Sequence, residues 1–278
     1  MFKIEKHLFV ILFYVLNCFN FSARSQTDIK KTPLNIGEKI ELKSAILNEI
    51  RILNIYLPQG YSTTSEKKYP VIYLLDGSMD EDFIHISGLV QFSSFSWINI
   101  LPESIVVGIS NVDRKRDFTF PTTNEKDKID FPTTGKSEQF IQFIEKELQP
   151  FIEKSYKTNN LKTIIGQSLG GLLATEILFK KPELFTNYII VSPSLWWDNE
   201  SLLKKEPAHF KNIHSIYISV GKEGETMERT TKELHQKLQL LKREKLNLYF
   251  DFFEDKNHGD ALHLSVYKAF ECIFKNKK

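Results

Sequence analysis

With only two cysteines in 278 residues, Cys18 and Cys272, this chain cannot be a disulfide-stapled scaffold. It also lacks a long apolar run. The stretch from Leu8 to Leu16, continuing through Phe19 and Phe21, is shorter than the ~20 residues a membrane-spanning helix needs. Neither charge sign is in excess: 37 basic side chains face 35 acidic ones, a net charge of +2. Such a balance leaves no polybasic footprint for nucleic acid or an anionic membrane surface. There is no internal repeat, no low-complexity tract and no linker rich in Gly, Pro or Ser to divide the chain. No His/Cys/Asp cluster has metal-ligand spacing, so neither a metal nor an organic cofactor is expected.

What is present reads as a single globular domain with 41% hydrophobic and 26% charged residues. The first 25 residues stand apart. Lys3 and Lys6 precede the apolar run, and Ala23-Arg24-Ser25 follows it as a small-x-small cleavage pattern. This predicts a secretory signal peptide over 1–25 and a single catalytic domain over 26–278, exported to the periplasm or secreted. Cys18 would suit a lipoprotein, but Asn17 stands where a small residue is needed. Cleavage removes Lys3, Lys6 and Arg24 against Glu5, which brings the +2 to zero. Cys272 then remains alone, so no internal disulfide can form and no stable membrane insertion is expected.

Residues 39–46 and 49–57 alternate apolar and polar side chains around Asn48-Glu49, the pattern of an antiparallel hairpin. Tyr69–Leu75 is nearly all apolar, as in a strand buried on both faces. Ser104–Ile109, Leu161–Ile165, Tyr188–Val191, Ile213–Val220 and Asn247–Phe252 are further buried-strand candidates. Apolar residues at helical spacing predict helices over Ser137–Tyr156, Gly170–Lys180, Thr226–Lys242 and Ala261–Phe274. Asn111–Lys136 is polar, contains Pro121, Pro132 and Gly135, and has no period. A long loop after a buried strand belongs at the carboxyl edge of the sheet, where it would form one wall of a substrate site.

Gly166-Gln167-Ser168-Leu169-Gly170 matches G-x-S-x-G. Alone the match is weak, since chance produces one in roughly a tenth of chains this long. Its setting decides. A strand candidate precedes it and a helix candidate follows, the arrangement of a nucleophile elbow. A sharp strand-to-helix turn strains the serine backbone, and Gly166, Gly170 and Gly171 supply the clearance it needs. The elbow predicts an α/β-hydrolase fold: a mostly parallel eight-stranded central sheet with helices on both faces.

A serine nucleophile needs a base. His258 lies in the polar turn Asp255-Lys256-Asn257-His258-Gly259, after the last strand and before the last helix, in the chain order nucleophile, acid, histidine. His263 falls inside that helix and is the poorer candidate. The acid should follow the strand Ile213–Val220, where Glu223 is preferred and Glu225 is the alternative. The amides of Leu169 and of Ser78, in Asp76-Gly77-Ser78-Met79, are the candidate oxyanion donors. Trp196, Trp197 and Arg116 are candidate substrate contacts, with one of the two adjacent tryptophans expected to be buried core: an exposed indole suits a planar acyl group, and an arginine an anionic or catecholate one. Arg114 and Arg116 could equally brace the long loop through Asp113 or Asp117.

With these residues placed, the chain resembles the esterase D-like, or putative esterase, branch of the α/β hydrolases. The resemblance rests on Tyr73-Leu74-Leu75-Asp76-Gly77, Arg114-Lys115-Arg116-Asp117 with Pro121, Phe143-Ile144-Glu145-Lys146-Glu147-Leu148-Gln149-Pro150, Ile165–Leu172, Ser192-Pro193-Ser194-Leu195-Trp196-Trp197 and Asn257-His258-Gly259. It implies a serine esterase working through an acyl-enzyme on a small-molecule ester, closest in look to siderophore esterases. Feruloyl or acetyl esterases on carbohydrate and acyltransferases share the branch. Its members use Asp, Glu or a Ser–His pair alone. A binding protein that kept the fold is the reading from another class, and an intact Ser168 and His258 count against it.

Overall fold

The computed structural model describes residues 29–210, 212–241 and 246–275. The expected signal segment, 1–25, lies outside these. Residues 29–35 have no regular structure, and the compact unit begins at Ile36.

Eight strands form one sheet: β1 (Gly37–Ser44), β2 (Glu49–Tyr56), β3 (Tyr69–Leu74), β4 (Ile105–Ile109), β5 (Thr158–Gln167), β6 (Asn187–Val191), β7 (Ser215–Gly221) and β8 (Asn247–Phe253). Their order across the sheet is β1-β2-β4-β3-β5-β6-β7-β8. β1 pairs antiparallel with β2 and β2 with β4; every other pairing is parallel. The α/β-hydrolase architecture expected from the elbow is therefore present.

The helices are α1 (Phe83–Ser94), α2 (Arg114–Phe118), α3 (Glu125–Asp130), α4 (Ser137–Phe143), α5 (Gln149–Ser155), α6 (Leu169–Lys180), α7 (Trp197–Glu200), α8 (Glu225–Leu240) and α9 (Ala261–Phe274). Their apolar sides divide the core. Phe83, Ile86 and Val90 of α1 join Val266 and Phe270 of α9 on one face of the sheet. Phe140 of α4, Ile152 of α5, Leu172 and Ile177 of α6 and Leu234 of α8 cover the other. Central strands feed both layers by their period of two. Val71 and Tyr73 of β3 enter one cluster, while Ile72 and Leu74 enter the other. That is why β3 reads as a continuous apolar run.

The expected helix Ser137–Tyr156 is interrupted by a π turn, Ile144–Leu148, joining α4 to α5. Pro150 explains the break, because it has no N–H to offer the carbonyl four residues back. The stretch 111–136 is not wholly irregular. α2 is capped by the Asp113 side chain, which accepts from Arg116 N at 3.0 Å, and α3 by Asn124, which accepts from Lys126 N at 2.9 Å. Helices this short carry too few turns to show a period. The excursion is anchored to the sheet by the buried pair Arg51 Nη1–Asp117 Oδ2, 2.7 Å, and by buried Phe118 and Phe120.

Candidate active site

Ser168 occupies the turn between β5 and α6 with φ 59° and ψ −120°. Only a surrounding that over-determines the backbone holds a serine there. Its N–H donates to Val191 O at 3.1 Å, and its C=O accepts from Leu172 N at 2.9 Å and Ser194 N at 3.0 Å. A Cβ at Gly166 would fall 2.3 Å from Gly170 O, so this turn cannot form with a side chain at 166. Leu169 opens α6, and its amide is one of the first-turn N–H groups that an α-helix leaves without an intrahelical acceptor. The helix N-terminus therefore favours negative charge beside Ser168.

His258 lies in the turn between β8 and α9. That turn is stiff: Asn257 N donates to Asp260 Oδ1 at 2.6 Å, and Gly259 N donates to Asn257 Oδ1 at 2.8 Å. It is also tied to the elbow, because Gln167 Nε2 donates to His258 O at 2.6 Å. The imidazole Nδ1 lies 2.5 Å from Glu223 Oε2. The other carboxylate oxygen, Oε1, accepts from Ser192 Oγ at 2.5 Å and Gly221 N at 2.9 Å. Burial pushes the Glu223 carboxyl up, but hydrogen bonds from His258, Ser192 and Gly221 outweigh it and hold the group below the usual glutamate range. The Glu223 side chain is 2% exposed and that of His258 47%. A buried anion thus fixes one ring nitrogen while the ring as a whole stays half exposed. Glu225, the alternative, is exposed at the start of α8.

Ser168 Oγ rests 3.3 Å from the Ser194 Oγ, its hydrogen-bond partner among the described residues. The ring of His263 instead packs on His85, centroids 3.7 Å apart. Ser78 follows β3 at the carboxyl edge, but its N–H points to Glu81 Oε2 at 3.4 Å. The contact lies within the turn Ser78-Met79-Asp80-Glu81, ahead of the N-cap of α1 at Asp82. It is long, so an incoming oxyanion competes for the amide on favourable terms.

Two candidate substrate contacts are structural instead: Trp197 is the tryptophan that is core, and Arg116 takes the bracing role through Asp117. Trp197 is fully buried and its Nε1 donates to Phe120 O at 2.9 Å, which makes it core beneath the excursion. Arg116 is consumed by structure: Nε donates to Asp117 Oδ1 at 2.7 Å, and Nη1 and Nη2 donate to Glu49 at 3.0 and 2.7 Å. Trp196 alone stays partly open, with Phe131 beside it at 5.9 Å between centroids. The two tryptophans lead into a left-handed turn, Asp198, Asn199 and Glu200 at φ 50°, 52° and 61°. Its latch is polar. Asp198 Oδ1 accepts from Thr122 Oγ1, Thr123 N and Thr123 Oγ1 at 3.0, 2.6 and 2.9 Å, and Arg229 pairs with Glu200 at 2.5 Å.

Ser192, Ser194 and Gln167 were not assigned roles from sequence, although all three lie in motifs that carried the resemblance. Backbone proximity of β5, β6 and β7 is what brings them together, and no local pattern announces it. Among the described residues no group of three or more His, Cys, Asp or Glu is arranged to hold a metal ion.

A mostly parallel sheet with a strained serine at a strand-to-helix turn, and a carboxylate-paired histidine on the turn after β8 at the same sheet edge, defines a serine hydrolase of the α/β-hydrolase class. Residues 44–259 match the family described as putative esterase, and the chain belongs to that family. It is 30% identical over 257 residues to the ferri-bacillibactin esterase BesA of Bacillus subtilis, covering 84% of this chain and 88% of that protein. An IroE-like serine hydrolase from Shewanella oneidensis superposes with a TM-score of 0.77 at 30% identity, covering 86% of this chain and 80% of that one. The BES protein from Bacillus cereus gives 0.74 at 28% identity, with 89% and 98% covered. The chain is an ester hydrolase.

Proposed function

We propose that the chain hydrolyses backbone esters of a siderophore through an acyl-enzyme on Ser168. The observation that carries the chemistry is the seat of His258: Nδ1 on buried Glu223 at 2.5 Å, with its own carbonyl held by the residue before the serine. Ser168 Oγ turns from Ser194 toward His258 Nε2, attacks the ester carbonyl and gives up its proton. The Ser168–His258 hydrogen bond therefore forms only when the hydroxyl leaves Ser194, and catalytic hydrogen bonds that are completed in the substrate complex are ordinary for such sites. The Leu169 and Ser78 amides receive the oxyanion, each donor worth roughly 3–4 kcal/mol. His258 then protonates the departing alcohol and activates the water that releases the acid. Glu223 stays ionised throughout and holds the imidazolium. Trp196, with Phe131 tilted against it at 49°, offers an aromatic wall for a catecholate or other planar acyl group.

Likeness to a ferri-bacillibactin esterase along most of both chains supports the siderophore substrate. Residues 1–25 are read as an export signal, which puts the mature enzyme in the periplasm or outside the cell. The test is a hydrolysis screen with a trilactone siderophore, a feruloyl ester and triacetin, alongside fluorophosphonate labelling. Trilactone should be the best substrate and Ser168→Ala should lose both hydrolysis and labelling. Retained hydrolysis by Ser168→Ala refutes the mechanism; a feruloyl ester cleaved faster than the trilactone refutes the substrate.

A further inference from the structure

The two candidate oxyanion amides belong to different strand ends. Ser78 follows β3 and Leu169 follows β5. An oxyanion must lie 2.7–3.1 Å from both donors at once, so the spacing of those ends has to hold to a fraction of an ångström. Backbone pairing carries the register only as far as Leu75 N, which donates to Ile165 O at 3.0 Å. Past that bond no backbone hydrogen bond joins the two segments among the described residues. Among the described residues, one side chain spans them by hydrogen bonds. Arg114 donates from Nε to Asp76 Oδ1 at 2.6 Å and from Nη2 to Asp76 Oδ2 at 2.9 Å. The same Nη2 donates to the carbonyl of Gln167, next to the nucleophile, at 3.3 Å.

We infer that Arg114 is a positioning residue of the esterase reaction, fixing the Asp76–Ser78 loop against the Ser168 elbow so that both amides converge on one oxygen. This rests on the reading of Ser168, Ser78 and Leu169 given above. Asp76 is well placed to transmit the constraint. It is buried, sits at φ 55° and lies two residues before the donor. Its carboxylate also meets the elbow helix, since a Cβ at Gly170 would fall 3.3 Å from Oδ2. On the far side the loop is already pinned. Asn111 Nδ2 donates to Asp76 Oδ1 at 2.7 Å, and Asn54 Nδ2 donates to Gly77 O at 2.8 Å. A Cβ at Gly77 would come within 2.4 Å of Gly108 Cα, so the loop cannot shift toward β4. Movement toward or away from β5 is the direction left open, and Arg114 closes it. A lysine would keep the charge but has no fork to hold Asp76 by two bonds while reaching Gln167.

The experiment uses the full chain with Arg114→Lys and Asp76→Asn, and a small neutral ester that carries no group for an arginine. Turnover of p-nitrophenyl acetate is measured together with the inhibition constant of a trifluoromethyl ketone, whose adduct places an oxyanion between the amides. A misplaced donor pair should lower kcat tenfold to a hundredfold with KM within twofold, and weaken the ketone by the same factor. The acid limb of the pH profile should stay where it is. A purely structural role would lower the melting temperature and leave the ketone's affinity per folded molecule unchanged. The inference is overturned if Arg114→Lys keeps kcat and ketone binding within twofold of wild type. It is equally overturned if KM alone rises, which would make Arg114 a substrate contact. Ser168→Ala run in parallel separates the two levels: residual turnover there removes the underlying mechanism, whereas a dead Ser168→Ala beside a normal Arg114→Lys removes only this inference.

Discussion

Replacing Glu223 by glutamine tests the acid of the site with almost no change of shape. The carboxylate accepts three hydrogen bonds, from His258, Ser192 and Gly221. A glutamine keeps the two at the Oε1 position with its carbonyl oxygen. Its NH2 group then faces His258 Nδ1, where the imidazole needs an acceptor. The ring relieves the clash of donors by moving its proton to Nε2, the nitrogen that has to accept from Ser168. A wrong tautomer of this kind lowers kcat about 10⁴-fold, or about 5.5 kcal/mol in the barrier. Here the imidazole is half exposed, so water shields part of the penalty, and a fall of about 10²- to 10⁴-fold is expected. KM should stay constant, because Glu223 lies behind the histidine. The carboxyl is held below its ordinary value of 4.5 in the folded chain, so its contribution to stability is present at neutral pH and fades as pH drops through the folded value. The variant should therefore melt lower than wild type at pH 7, with the gap narrowing as pH falls below 4.5. The assay is ester turnover at pH 7 with thermal melts at pH 7 and pH 4. A glutamine variant within fivefold of wild-type kcat would refute the role of Glu223 and leave a Ser–His pair.

Three other substitutions probe what surrounds the site. Burial, reinforced by Asp76 and Glu81 and opposed by Arg114, pushes the Asp82 carboxyl up to about 6. Its ionisation above that pH costs stability, and its side chain makes no capping bond. Asp82→Asn should raise the melting temperature at pH 8 by a few degrees, a gain trimmed by the solvent that reaches this half-buried group, and most of it should be gone near pH 4; calorimetry at both pH values decides. Trp197→Ala should cost about 3–5 kcal/mol in denaturant unfolding, since a fully buried indole and its bond to Phe120 are lost. Trp196→Ala should cost far less stability and instead raise KM for aromatic esters over acetyl esters in a paired kinetic assay.

Much of this fold is legible because the central strands are buried on both faces. β3 and β6 read as unbroken apolar runs, and α9 matches its expected limits, Ala261–Phe274. Helix α1 escaped notice for the opposite reason. Its exposed side carries Ile84 and Phe92, 45% and 43% exposed, which blurs the stripe of Phe83, Ile86 and Val90. In the site, strand ends locate Ser168 and His258, because a turn after a strand has a fixed place at the sheet edge. The choice between Glu223 and Glu225 depends on where α8 begins, and one residue of helix carries Glu225 into solvent. The sequence leaves open whether Arg116 meets substrate or braces the excursion, and which tryptophan is core, because the commitments that decide it, to Glu49 and Phe120, span sequence distances that no local pattern records.

The left-handed turn after Trp197 gives the aromatic wall a switch-like rather than elastic character. Asp198, Asn199 and Glu200 each occupy a backbone well that costs roughly 1–2 kcal/mol for an L-residue and is separated from the right-handed well by a barrier. Such a segment does not yield by degrees. While Thr122, Thr123 and Arg229 hold their partners, the three residues keep their left-handed wells and Trp196 has one address; losing a latch bond would favour a jump of the backbone to another well over a gradual shift. Specificity drift in this enzyme would then come in steps, with two distinct populations of Trp196 rather than a gradually widening pocket.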